Sequence, residues 1–261
     1  MSMSIPDERF YDKVASKFGG YKSGVTRTNK FLNGDPEKIF LAQLLNCGGK
    51  NKIALDIGCA DGRFTLKIAQ NFKQIIAVDV SERMLDAAKQ LQAEQGISNV
   101  QFQKTDAAGT PFADEYFDIV YSRRGPTPYQ EIIRVLKESG CYAEIRIGGK
   151  DARELKEIFG RGQNFGDWDD SDIVTRGTRL EAIGLKPIFI KEYLFSEYYP
   201  DIDNFSHWLE SVPIFKDFNP AKDRDLLSKY VKKMNTQDGI ELKRHRVVIV
   251  AKKLEFDGTK P

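Results

Sequence analysis

Residues Ile53 to Leu66 read Ile-Ala-Leu-Asp-Ile-Gly-Cys-Ala-Asp-Gly-Arg-Phe-Thr-Leu. A short apolar run predicts a buried parallel strand, and Gly58 and Gly62 break it into a loop. Phe64, Leu66, Ile68 and Ala69 then recur as the buried face of a helix. Strand, glycine loop and helix open a nucleotide-binding βαβ unit, whose helix start offers unpaired N–H groups to a ligand. A dinucleotide site wants G-x-G-x-x-G. Here the middle glycine is missing, and Asp61 adds negative charge where a pyrophosphate needs to approach. A ligand with no phosphates and a cationic amino-acid end tolerates Asp56 and Asp61.

The segments that follow extend that unit. Ile75 to Val78 form a strand ending in Asp79, roughly twenty residues past the glycine loop, where a carboxylate holds a ribose diol. Ser81 is an N-cap for a helix with Met84, Leu85, Ala88 and Leu91 on one face. Met84 is read as core, with adenine contact as the alternative. A third strand, 100–103, is followed by Asp106 and Ala107, and a fourth, 117–121, by Ser122-Arg123-Arg124-Gly125-Pro126. That loop lies at the carboxyl end of a central strand, where open α/β sheets bind ligands. Arg123 and Arg124 are therefore candidates for holding an acidic substrate group or the cofactor's carboxylate. The alternative is that they are solvated, or paired with Glu144 or with an acid of the glycine loop. A helix follows on Tyr129, Ile132, Ile133 and Leu136, then a strand at 141–147, a helix through Leu155 and Phe159, and a glycine-rich loop at 160–170 with Phe165 and Trp168. A helix at 172–183 and strands at 188–195 and 246–251 complete the pattern.

Taken together, D-x-G-x-x-x-G at 56–62, Asp79, Asp106 and Arg134-Val135-Leu136-Lys137-Glu138-Ser139-Gly140 resemble the class I S-adenosylmethionine-dependent methyltransferases of the type 11, quinone-biosynthesis-like group. Tyr11-Asp12-Lys13-Val14-Ala15-Ser16-Lys17-Phe18 resembles the aromatic helix preceding their first strand. The resemblance implies a Rossmann-like α/β fold: a seven-stranded, mostly parallel sheet with helices on both faces and an antiparallel last strand. It implies S-adenosylmethionine as cofactor, with S-adenosylhomocysteine as product. The implied contacts are Asp56, Gly58, Cys59, Ala60 and Gly62 in the loop, Asp79 at the ribose with Val80 after it, Asp106 and Ala107 at the adenine with Met84 as the further candidate, and Ser122, Tyr11 and Tyr21 around them. Glu138-Ser139 stands where the family has Pro-Gly.

The expected organisation is one methyltransferase domain. It comprises an N-terminal helical cap (1–50), the cofactor-binding α/β core (51–195 and 245–254) and a helical, aromatic insert (196–244). The insert is too long for a hairpin. It holds Tyr198, Tyr199, Phe205 and Trp208, with a helix expected from Asn219 and Pro220, and is read as a subdomain with its own core, a substrate lid, or both. Tyr199, Trp208, Arg123 and Arg124 are the candidate acceptor contacts. His207, Tyr198 and Tyr199 are the candidate bases, because an oxygen or nitrogen nucleophile sometimes needs one.

Composition narrows the classes. The 261 residues carry 40 Lys and Arg against 38 Asp and Glu, a balance that does not mark a nucleic-acid binder. No apolar run is long enough to span a membrane, and no secretory leader is visible. Cys47, Cys59 and Cys141 are scattered, so neither a disulfide nor a metal site is expected, and a cytoplasmic location fits. The favoured partner is a small-molecule methyl acceptor. A base in rRNA or tRNA is the runner-up, because Gly148-Gly149-Lys150-Asp151-Ala152-Arg153-Glu154-Leu155-Lys156 resembles a segment of rRNA guanine methyltransferases. Cofactor binding without catalysis is the alternative of another class.

Overall fold

The computed structural model describes residues 8–21, 24–169 and 171–255. The first seven residues of the expected cap, its residues 22 and 23, and Asp170 of the glycine-rich loop lie outside them.

The chain runs α1 (Glu8–Phe18), β1 (Thr28–Phe31), α2 (Pro36–Cys47), β2 (Gly49–Ile57), α3 (Arg63–Ile68), β3 (Phe72–Asp79), α4 (Glu82–Gln95), β4 (Val100–Lys104) and β5 (Phe117–Arg123). It continues through α5 (Tyr129–Val135), β6 (Leu136–Ile147), α6 (Arg153–Phe159), α7 (Ile173–Ala182), β7 (Leu185–Tyr199), α8 (Ile202–Ser211), α9 (Arg224–Met234), β8 (Asn235–Thr236) and β9 (Gly239–Lys253). The sheet order is β1-β7-β9-β6-β5-β2-β3-β4, with β8 paired to β9. Strands β2 to β6 are mutually parallel, and β9 enters antiparallel between β6 and β7. The fold is the Rossmann-like α/β architecture expected, with β1 and β8 added to it.

Both faces of the sheet are covered, so the central strands are apolar on both sides. Ala54, Ala77, Ile119 and Val248 face one layer, with Phe40, Leu44 and Leu85. Leu55, Val78, Val120 and Ile249 face the other, with Ile132 and Leu180. Local chemistry sets the helix ends. Asp35 accepts from the Glu37 and Lys38 N–H groups ahead of α2, Ser81 accepts from Met84 N–H ahead of α4, and Gly96 ends α4 in the left-handed conformation. The helix expected from Asn219 starts later: Asn219 accepts from Ala221 and Lys222 N–H in a turn of its own, and α9 begins at Arg224.

The last two strands reach well beyond their apolar runs. Ile147 at the end of β6 pairs with Arg246, whereas the β7–β9 ladder continues to Tyr199 and Ile240. Residues 194–199 and 240–245 therefore form a two-stranded ribbon that rises past the carboxyl edge of the sheet, by about 20 Å at ~3.3 Å per residue. Strand β1 lies along its outer edge. Helices α6, α8 and α9 pack on the ribbon around a separate core of Tyr199, Phe205, Trp208, Phe215, Tyr230 and Leu242. The insert thus has its own core, and it stands at the edge of the sheet where ligands bind.

The cysteine reading needs correction. Cys47 and Cys141 form a disulfide across 94 residues of sequence. The close packing of α2 against β6 brings their Cα atoms to 6.2 Å. Only tertiary packing creates that proximity. Cys59 is free and buried.

Candidate functional site

The loop after β2 holds its shape through the backbone. Gly58, Ala60 and Gly62 all have positive φ, at 75°, 47° and 69°. The N–H groups of Gly58 and Cys59 both donate to the Val78 carbonyl, at 2.9 and 3.1 Å. Ala60 is a non-glycine residue in this region, and its N–H is pinned by the Asp79 carboxylate at 2.9 Å. The other Asp79 oxygen accepts from Ser81 N–H at 3.0 Å. A carboxylate has about four lone-pair sites, so Asp79 keeps acceptor capacity for a diol. Burial raises its pKa, and the Ser81 and Ala60 N–H groups oppose that rise.

The glycines serve packing. A Cβ on Gly62 would sit 2.6 Å from the Phe102 ring and 2.9 Å from the Ala88 methyl. One on Gly58 would meet Pro126 and Gly125 at 3.1 and 3.2 Å, where the loop after β5 crosses. Their freedom brings elements together beneath the ligand seat, a different use from the close ligand approach read from sequence.

Other expected residues gather at the same edge. Thr105 N–H donates to the Asp79 carbonyl at 3.1 Å, which sets Asp106 beside the end of β3. Asp106 is exposed and accepts from Ala108 N–H at 2.9 Å, and Ala107 is buried behind it. Val80 is half-buried, and Cys59 and Met84 are buried. Helix α1 lies over this group. Tyr11, Phe18, Tyr21 and Ala60 pack around Phe10, Val14, Ala15 and Met84, the Tyr11 and Tyr21 rings are 5.9 Å apart, and Ser81 Oγ donates to Asp12 at 2.6 Å. Asp61 accepts from Tyr21 N–H at 2.7 Å and from Arg63.

Several expected side chains are otherwise engaged. Asp56 points into the core, where Thr65 Oγ1 and Tyr121 OH donate to it at 2.6 and 3.0 Å. Burial pushes it up to about 6, against those two hydrogen bonds. These bonds anchor β2 to α3 and β5. Ser122 Oγ donates within the β5 crossover, to the Ile57 and Pro126 carbonyls at 3.3 and 3.1 Å.

Tyr199 and Trp208, expected as acceptor contacts, are both buried in the insert core, and Tyr199 OH donates to Glu197 at 2.8 Å. His207 packs edge-on against Phe18 beside Glu210, and Tyr198 lies high on the ribbon next to Glu241 and Lys30. Phe18 belongs to the group over the loop after β2, so His207 lies at the edge of that group. Packing decides these positions: the apolar face of a helix reveals that a residue is buried, not against what.

Arg123 and Arg124 do lie at the carboxyl end of β5. Their partner is Glu37, from the first turn of α2, at 2.8 and 3.5 Å. Burial works to raise the Glu37 pKa, but Arg124 and Arg123 hold it at about 2. Arg123 also stands 5.2 Å above the Phe64 ring.

The residues that sequence reading missed belong to the base of the ribbon. Asp151 is buried and accepts from Arg246 Nη1 at 2.6 Å, Arg244 Nε at 2.9 Å and His245 N–H at 3.0 Å. Burial opposes its charge, yet Arg244 and Arg246 hold its pKa well below the usual range. Arg244 also donates to Glu197 at 2.8 Å and lies 5.1 Å above Trp208. The available signal was the run Lys243-Arg244-His245-Arg246 leading into the apolar Val247 to Ala251. Such charge runs usually mark solvent-facing chain, and here a strand carries one into the interior.

Known proteins match this chain in the same region. Residues 54–140 match the family model described as a methyltransferase domain. The uncharacterized methyltransferase YcgJ of Bacillus subtilis is 32% identical over 121 residues, which are 41% of this chain and 47% of that protein. Its crystal structure superposes with a TM-score of 0.62 at 18% identity, covering 84% of this chain and 99% of that one. The ubiquinone/menaquinone biosynthesis C-methyltransferase UbiE of Pseudomonas fluorescens is 28% identical over 151 residues, 52% of this chain and 59% of that protein. The chain therefore spans about half the length of these curated relatives. Geranyl diphosphate C-methyltransferase of Streptomyces coelicolor, solved with Mg2+, geranyl diphosphate and S-adenosylhomocysteine, has a TM-score of 0.54 at 16% identity over 84% of this chain and 78% of that one. With the fold, the loop geometry and these matches, residues 54–140 belong to the class I methyltransferases, the family whose cofactor is S-adenosylmethionine.

Proposed function

We propose that this protein transfers the methyl group of S-adenosylmethionine to a small-molecule acceptor. The observation that carries the reading is the charge around the loop after β2. Asp12, Asp61, Asp79 and Asp106 gather there, and the nearby Arg63 is engaged by Asp61. That setting repels phosphates and accepts a ligand bearing a sulfonium and an α-amino group. Asp79 holds the ribose, Asp106 and Ala107 face the adenine, Gly58 to Gly62 seat the amino-acid end, and Tyr11 and Tyr21 close over them.

The sulfonium supplies the electrophilic methyl. The protein's part is then to bind, orient and exclude water. Helix α1 covers the cofactor seat, while the insert walls the other side of the carboxyl edge. Aromatic rings beside a sulfonium add a favourable electrostatic contact. A small acceptor is favoured over RNA because Arg244, Arg246 and Lys156 are buried rather than spread over an open surface. The names of UbiE and of the structurally similar geranyl diphosphate C-methyltransferase point the same way.

The test is transfer of labelled methyl from S-adenosylmethionine to a metabolite extract and, in parallel, to total RNA. Label in the metabolites is expected. Label only in RNA would replace the acceptor class, and binding of the cofactor with no transfer to either would favour a binding role.

A further inference from the structure

Lys156 is nearly fully buried, at 3% exposure, and lies on the inner side of α6. Among the described residues its side chain makes no hydrogen bond and no ion pair. Its ammonium is 5.6 Å from the Trp168 ring. Asp151 is the carboxylate that acts on it most strongly, but Asp151 is already saturated by two arginines and a backbone N–H. Arg244, Arg246 and Arg153 add repulsion. Burial, with those cations, pushes the Lys156 pKa down to about 8 against the pull of Asp151. A buried, unpaired cation is costly and is normally relieved by a partner.

The nitrogen reaches a cavity of about 50 Å³ at the carboxyl end of β6. Gly148, Gly149, Trp168 and Arg146 also line it. Arg146 is steered there by Tyr129 OH at 3.3 Å and Glu144 at 3.9 Å. Two acids reach the rim. Asp169 is committed to Arg176 at 2.7 Å, and Asp167 is exposed to solvent. At ~10–15 Å³ per water position, the cavity admits about three to five waters or one oxyanion group. The loop after β5 is tied to this end of β6: Arg124 N–H donates to the Ile145 carbonyl at 2.8 Å. The end of β6 is two strand spacings, about 10 Å, from the loop after β2.

We propose that the methyl acceptor is anionic, and that Lys156 and Arg146 form the subsite for its carboxylate or phosphate group. The inference rests on the methyltransferase reading for the word acceptor, while the anion site stands on its own geometry. Lys156 supplies a compact charge, and Arg146 supplies a planar donor pair across the cavity.

Inorganic phosphate and malonate serve as probes of the two oxyanion chemistries, titrated calorimetrically into protein saturated with S-adenosylhomocysteine. The wild type is expected to bind at least one of them in a single site. Lys156→Met should weaken that probe at least tenfold, Lys156→Arg should restore part of the loss, and Arg146→Gln, at the more exposed position, should weaken it severalfold. S-adenosylhomocysteine affinity, measured on each variant, reports that the fold and cofactor seat persist. Which probe wins distinguishes phosphate from carboxylate. Absence of binding by both probes, or equal affinity in wild type and Lys156→Met, overturns the proposal. Failure of the methyltransferase reading has a different signature: no S-adenosylhomocysteine binding, or no methyl transfer, with anion binding intact.

Discussion

The carboxyl edge of the sheet has two ends of opposite character. Over β2, β3 and β4 it is acidic and built from backbone. Positive-φ turns and N–H groups fix the loop, and Asp79 ties it to the start of α4. Over β5, β6 and β9 it is basic and built from side chains. Arg123, Arg124, Arg146, Arg244 and Arg246 meet Glu37, Glu144, Asp151 and Glu197, and Lys156 stands beside them. The acidic end suits a cation whose identity is constant across a family. The basic end, assembled from an insert and a long ribbon, is where we propose that the acceptor is selected. Backbone geometry is generic, whereas side-chain charge is cheap to vary, so one fold serves many acceptors.

The contrast can be broken most severely at Asp151. Asp151→Asn leaves Arg244 and Arg246 buried without their shared carboxylate, a loss of about 3–5 kcal/mol for a broken buried pair. A large fall in the urea midpoint is expected. An unchanged midpoint would mean the ribbon base does not depend on this cluster. At the acidic end, Asp79→Ala removes the proposed ribose acceptor and frees the Ala60 and Ser81 N–H groups together. S-adenosylhomocysteine binding should drop at least a hundredfold by calorimetry. Retained affinity would put the ribose elsewhere.

Lys156→Met should have the opposite sign. Lowering a lysine pKa from 10.5 to about 8 reflects a penalty on its charged form. Removing the charge while keeping the volume is expected to stabilise by about 2 kcal/mol, or roughly 4–8 °C in Tm. A lower Tm would show that the ammonium is structurally satisfied.

The smallest effect is on pH dependence. Asp56 has a folded pKa raised to about 6 from 3.8, so its contribution favours folding below about 4 and is lost as pH rises through 6. Glu37, held near 2, does the reverse: its contribution is present above its unfolded value of 4.5 and is lost as pH falls towards 2. Asp56→Asn keeps an acceptor for Thr65 and Tyr121, and should therefore raise Tm at pH 7 relative to pH 4. Parallel wild-type and variant curves between these pH values would show that burial does not penalise this carboxylate.

The acidic end was largely legible. Its residues lie close together in sequence, and period and turn chemistry place Gly58 to Gly62, Asp79 and Asp106 at successive strand ends. Orientation was less so, because Asp56 and Ser122 belong to the right strands yet turn into the packing. The basic end was hardly legible. Asp151 and Arg246 are 95 residues apart, and a strand that carries Lys243-Arg244-His245-Arg246 inward looks like solvent-facing chain. The aromatic insert was recognised, but Tyr199 and Trp208 proved to be its core, because a small helical layer needs its largest rings for itself.

By itself, the sequence determined the order of the core strands and helices, the glycine loop after β2 and the carboxylates that follow it, because those depend on local periodicity and short spacings. Tertiary structure alone decided the Cys47–Cys141 bond, the ribbon that lifts the insert above the sheet, and the uncompensated Lys156 beside its cavity. Each needs segments distant in sequence to meet, and burial then sets the energy of every charge they bring.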